Sequence, residues 1–126
     1  MKEKKDMQKI ATGKEGEKIA ALFLEKQGYE ITQLNYRCPI GEIDIVAKNG
    51  NDLVFVEVKT RKTGLLGYPE QAVGLAKQRK MSQLALWYLQ EKRLHGISAR
   101  FDVVAVRMFS DKTDIRLFKN AFDFIR

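Results

Sequence analysis

Asp44, Glu57 and Lys59 are three charged side chains set into stretches that otherwise read as apolar strands. Asp44 lies in Glu42-Ile43-Asp44-Ile45-Val46-Ala47-Lys48, and the other two in Leu53-Val54-Phe55-Val56-Glu57-Val58-Lys59-Thr60. Carboxylates are hard oxygen ligands suited to Mg²⁺ or Mn²⁺. Mg²⁺ commonly takes one or two carboxylates, keeps several waters and completes its shell with substrate phosphate. An ammonium beside such an ion could hold an attacking water or the charge developing on a phosphate. A bound metal would lower the pKa of the water and polarise the phosphorus centre. Together these groups could perform metal-dependent phosphodiester hydrolysis.

The two stretches flank Asn49-Gly50-Asn51-Asp52, a turn-forming linker, so they predict a β-hairpin. If all four linker residues form the loop, Lys48 pairs with Leu53 and Asp44 lies opposite Glu57. A two-residue Asn49-Gly50 loop instead puts Asp44 opposite Phe55. Both registers preserve alternation. Ile43, Ile45 and Ala47 then share an aliphatic face with Val54, Val56 and Val58, while Asp44, Glu57 and Lys59 share the other, with Glu42 and Lys48 at its ends. Like charges opposite one another across strands are destabilising unless something neutralises them, and a divalent cation would do so. The plain alternative is a solvated sheet face carrying Lys–carboxylate pairs. Against it, Val46, Leu53 and Phe55 share the charged face, and a helix should cover that face in an α/β layer.

The remaining elements must hold this hairpin in place. A helix is expected from about Lys14 to Gln27, with Ile19, Leu22, Phe23 and Lys26 on one stripe, Ala20 and Leu24 beside it, and Gly28 as a left-handed cap. Strands are expected at about Glu30–Arg37, Arg100–Met108 and Asp114–Phe118. Arg61–Tyr68 reads as a loop, and a second helix should begin near Pro69 and end near Gly96. The order α-β-β-β-α-β-β, with a helical crossover between the third and fourth strands, predicts an α/β fold with a mixed sheet flanked by helices. Residues 1–11 read as a flexible basic N-terminus and 12–126 as one domain whose tail (Phe122, Phe124, Ile125) packs back on the body. Trp87, Tyr88, Leu84 and Leu89 read as core, and His95 as a helix-end residue.

The chain has 126 residues, 23 basic and 16 acidic, for a net charge of +7. From Lys59 to Lys80 there are six basic residues against one acid, Glu70, so this segment alone carries +5. An anionic partner is therefore expected. No apolar run is long enough to span a bilayer, the N-terminus lacks the apolar stretch of a signal peptide, and the single cysteine, Cys38, can form no internal disulfide. A cytoplasmic location with no membrane partner is the expectation.

Gly41-Glu42-Ile43-Asp44 followed by Val56-Glu57-Val58-Lys59 resembles the D…ExK core of PD-(D/E)xK nucleases. A longer ordered set resembles the YraN-like family of uncharacterised bacterial proteins: Gly13-Lys14-Glu15-Gly16-Glu17, Asn35-Tyr36-Arg37, Phe55 to Arg61, Lys77-Gln78-Arg79 and Arg100 to Val104. The resemblance runs from about residue 12 to the C-terminus. The family's similarity to restriction endonucleases and archaeal Holliday-junction resolvases implies the α-β-β-β-α-β core and a helix-borne acid near the metal, here Glu17.

The resulting expectation is a restriction-endonuclease-like domain that binds nucleic acid, DNA in the first instance, and cleaves it with Mg²⁺ or Mn²⁺. Asp44 and Glu57 would hold the metal with the Val58 carbonyl, Lys59 would assist the chemistry, and Glu17 would be an accessory acid. Arg37, Arg61, Lys62, Lys77 and Arg79 would meet phosphate, and a homodimer is compatible with the reading. A non-catalytic DNA- or RNA-binding module, or a protein-interaction subunit on the same fold, is the alternative.

Overall fold

A computed structural model describes residues 2–62 and 73–125, with side chains from residue 12 onward. The elements are α1 (Lys2–Lys26), β1 (Glu30–Cys38), β2 (Gly41–Asn49), β3 (Asp52–Arg61), α2 (Leu75–Glu91), β4 (Ala99–Met108) and β5 (Thr113–Phe122). The strands form one sheet in the order β1-β2-β3-β4-β5. Only β3 and β4 are parallel, as the α2 crossover demands. The chain is thus α/β with a mixed sheet and contains the α-β-β-β-α-β core. Two apolar clusters lie on its faces. Ala20, Ala21 and Leu24 of α1 pack with Ile45, Val54, Val56 and Val104. Met81, Leu84, Ala85 and Tyr88 of α2 pack with Val46, Phe55, Phe101 and Val103.

Several boundaries differ from expectation. The first helix extends back to Lys2, through a run of Lys, Glu, Met and Gln with good intrinsic helix propensity. Its buried stripe is Gly16, Ala20, Ala21 and Leu24, whereas Leu22 is 62% exposed. The reason is steric. The face with the smallest side chains allows the closest approach to the sheet, and a Cβ on Gly16 would lie 2.0 Å from Thr60 Oγ1. The helix closes as expected at Gly28 (φ 93), with the Tyr29 N–H donating to the Leu24 carbonyl at 2.9 Å. The second helix begins at Leu75 with Gly74 as its N-cap, so Gly74 lies outside it. Pro69 and most of the expected loop fall outside the described residues. The tail packs back, with Phe122 stacked on Phe101 at 4.6 Å and Phe124 against the same ring at 4.5 Å. Of the expected core, Leu84 and Tyr88 are buried but Trp87 is 37% exposed.

Asn49 pairs with Asp52 and Lys48 with Leu53, so the turn residues proper are Gly50 and Asn51. This hairpin end is held by an ionic network. Arg100 donates to Asp52 (2.6 Å), Asp102 (3.0 Å), Asn49 (2.8 Å) and the Tyr29 hydroxyl (3.1 Å). The fully buried Asp102 also accepts from Tyr29 (2.7 Å) and from the Asn120 N–H (2.9 Å). A buried carboxylate is tolerated only with such partners. The Arg100-Phe101-Asp102 motif is therefore a clamp joining β2, β3, β4, β5 and the α1–β1 junction.

Candidate metal centre

The other end of the hairpin is irregular. Between β1 and β2 the register shifts at Ile31–Gln33, and further along Leu34↔Ile45 and Tyr36↔Ile43 pair in one register with no Asn35–Asp44 pair between them. Between β2 and β3 pairing stops at Ile45↔Val56, one step before Asp44 would meet Glu57. Asn35 has φ 53, a left-handed conformation that asparagine tolerates better than most residues. Side-chain alternation slips here. Ile43 packs with Tyr36 and Val46 beneath α2, while Ile45 and Ala47 pack beneath α1. The expectation that Ile43 shares a face with Ile45 and Ala47 is corrected accordingly: unbroken alternation does not survive the left-handed residue on the neighbouring strand. In place of a ladder bond, the Val58 N–H donates to Asp44 Oδ2 at 2.8 Å. A strand N–H points along the sheet rather than out of it. The Asp44 carboxylate therefore sits in the gap between β2 and β3, within reach of groups on both faces.

Two sets of groups close on that gap. Glu17 of α1, Glu42 and Asp44 each offer a carboxylate oxygen, and these atoms lie within 4.8 Å of one another. Gly16 makes this possible, because its contact with Thr60 brings the α1 backbone against β3 beside Glu17. On the other side Glu57 Oε1 meets Lys77 Nζ of α2 at 3.2 Å, with the Glu57 side chain only 13% exposed. The asparagine carboxamide, turned with its nitrogen toward the acids so that both ends are satisfied, donates to Glu17 Oε2 at 2.9 Å and to Glu42 Oε1 at 2.6 Å. Arg37 Nε takes the second Glu42 oxygen at 3.2 Å.

The electrostatics follow from this crowding. Burial, followed by the charge of Glu57, pushes the Asp44 carboxyl up to about 7; the Val58 N–H and Lys77 oppose the rise. Burial and then Glu42 raise Glu17, partly offset by hydrogen bonds from Asn35 and Asp44. Burying three carboxyl groups this close together disfavours their all being charged at once. Three hard oxygens gathered within 4.8 Å of one another form a donor set that fits Mg²⁺ or Mn²⁺.

The expected site residues are distributed as follows. Asp44 and Glu17 come together with Glu42, which sequence reasoning placed only at the end of the charged face. Glu57 and Val58 adjoin Asp44, the first through its charge and the second through its N–H. Lys59 follows on β3 in register with Ala105. Lys77 contacts Glu57. Arg37 is largely exposed (76%) apart from its bond to Glu42. Arg61 and Lys62, at the end of β3, and Arg79 of α2 are exposed. Asn35 enters the sequence reading only as part of a motif; its residue type permits a left-handed backbone but does not by itself require one. Among the described residues no helix is long and apolar enough to cross a membrane.

The model of an uncharacterised protein family, UPF0102, matches residues 16–106, a span containing every acid of this cluster. A UPF0102 protein of Syntrophus aciditrophicus is 51% identical over 116 residues, covering 92% of this chain and 91% of the relative. One from Caldicellulosiruptor saccharolyticus is 47% identical over 118 residues, covering 92% of this chain and all of the relative.

Proposed function

The chain belongs to the uncharacterised family UPF0102, and from the carboxylates gathered at the splayed end of its hairpin we propose that it is a metal-dependent nuclease. The observation that carries this reading is the approach of Glu17, Glu42 and Asp44 within 4.8 Å from two separate elements. These three residues would hold Mg²⁺ or Mn²⁺. When bound, such an ion supplies an activated water and stabilises charge on a phosphate. Glu57, adjacent to Asp44, completes the negative potential that attracts the cation. Lys59 stands two residues beyond Glu57 on the same strand and would hold the attacking water or the developing phosphate charge. Arg37, Arg61, Lys62, Lys77 and Arg79 would bind the phosphate backbone, a sequence-independent contact that weakens steeply with salt. DNA is the proposed substrate, branched forms included. A non-catalytic nucleic-acid-binding module would use the same basic residues.

Calorimetric titration of Mn²⁺ into wild type and Asp44→Ala, beside cleavage assays on linear, flapped and four-way DNA and on RNA, tests the reading. Binding and cleavage by wild type with loss of both in Asp44→Ala are expected. Equal heats from the two proteins would overturn the metal assignment. Metal binding without cleavage of any substrate would leave the binding module as the correct reading.

A further inference from the structure

Asn35 lies on an exposed edge strand, where a residue ordinarily does little. Three observations set it apart, and a fourth concerns the acid it holds. Its backbone is left-handed (φ 53), unlike that of any other non-glycine residue described in β1–β3. Asn35 does not pair with Asp44, although Leu34↔Ile45 and Tyr36↔Ile43 pair in one register on either side. With the nitrogen of its carboxamide turned toward the acids, the orientation that satisfies both ends, it donates to Glu17 of α1 at 2.9 Å and to Glu42 of β2 at 2.6 Å. Glu42 is held from β1 a second time, by Arg37 at 3.2 Å. A single amide nitrogen between two carboxylates does what neither acid can do for the other: it draws them together without a titratable proton. Both donor hydrogens are used, one on each acid, so the distance between α1 and β2 is set at this point.

We propose that Asn35 is the positioning residue of the acidic site: its bridge between Glu17 and Glu42 presets the carboxylates for a divalent cation. The left-handed backbone is part of the device. It turns the Asn35 side chain toward the acids at the step where β2 releases Asp44 from the ladder. Local strain of this kind is characteristic of functional positions. Outer-shell partners that orient metal ligands commonly contribute 10- to 100-fold in metal affinity. The inference rests on the metal-site reading given above, and the experiment separates the two.

Asn35→Gly keeps the left-handed backbone accessible and removes only the bridge. Mn²⁺ is titrated calorimetrically into wild type, Asn35→Gly, Glu42→Gln and the double variant. Asn120→Gly serves as the control, because Asn120 also has a positive φ (52) but sits in the Asp102 network at the far end of the sheet. Asn35→Gly should bind Mn²⁺ about 10- to 100-fold more weakly, with a melting temperature in chelator lowered by the loss of its two bonds to carboxylates. The loss should be non-additive with Glu42→Gln, since both changes break one linkage. Asn120→Gly should leave Mn²⁺ affinity unchanged. A purely structural Asn35 would give additive losses, or equal affinity with altered melting, and either result overturns the proposal. If Asn35→Gly proves unstable, Asn35→Ser supplies the same comparison: its hydroxyl has one donor hydrogen and no charge, so it cannot bridge two carboxylates, and wild-type affinity there would refute the bridge. If wild type itself binds no Mn²⁺, the metal-site reading falls, a result distinct from equal binding by wild type and Asn35→Gly.

Discussion

Replacing Asp44 by Asn should stabilise the protein in the absence of metal. The carboxyl is raised from its ordinary value of 3.8 to about 7, first by burial and then by the Glu57 charge. The folded protein therefore holds a proton there that the unfolded chain gives up near pH 4. Between those values folding becomes less favourable as pH rises, because the native state binds more protons than the unfolded one. A displacement of about 3 units at about 1.4 kcal/mol each gives a destabilisation of up to about 4 kcal/mol above pH 7 and almost none below pH 4. Asparagine removes the charge while its side-chain oxygen can still accept the Val58 N–H that Asp44 takes at 2.8 Å. At pH 8 in chelator, Asp44→Asn should be about 2–4 kcal/mol more stable than wild type. For a domain of this size that is roughly 10 °C in melting temperature. At pH 4 the two proteins should melt together. Mn²⁺ at about 1,000 times its dissociation constant should close or reverse the gap, since it adds about 4.1 kcal/mol to a protein that binds it, against the roughly 2–4 kcal/mol gained by the variant. Thermal melts at pH 4, 6 and 8, with chelator and with Mn²⁺, measure all of this. If Asp44→Asn melts at or below wild type at pH 8 in chelator, with the same dependence on pH, the repulsion ascribed to the cluster is absent.

Two further outcomes follow from the same geometry. Gly16→Ala puts a Cβ 2.0 Å from Thr60 Oγ1 and 2.9 Å from Thr60 Cβ; the forced displacement should cost about 1–3 kcal/mol in denaturant melts and weaken Mn²⁺ binding as Glu17 moves off, so unchanged values of both would show that α1 is not seated by this contact. Lys59→Ala should keep Mn²⁺ and nucleic-acid binding but slow single-turnover cleavage by about 10²–10³ if Lys59 acts only as charge develops, and equal cleavage by wild type and variant would remove Lys59 from the chemistry.

How much of this could be read from the residues depends on where the chain is regular. The hairpin, the crossover and the mixed sheet follow from turn residues and from apolar runs of strand length, and the Lys48–Leu53 pairing is one of the two registers the linker allows. The face of α1 did not follow, because periodicity favoured large residues whereas close approach selected Gly16, Ala20 and Ala21. The site was half legible for a related reason. Asp44 and Glu57 are conspicuous as charges within apolar strands, yet extrapolating an ideal ladder to their level pairs them directly and keeps Ile43 with Ile45. The chain instead breaks the ladder there: Asn35 turns left-handed, Ile43 changes sides, and Asp44 exchanges a strand partner for the Val58 N–H. An unbroken ladder would have fixed Asp44 on one face, away from a helix on the other. The break costs pairing, but it lets a helix acid, two β2 acids and a β3 acid face one gap. Alternation fails at Asp44 where its carboxylate takes the Val58 N–H in place of a strand partner, and a local failure of this kind is what a metal site at this position would require.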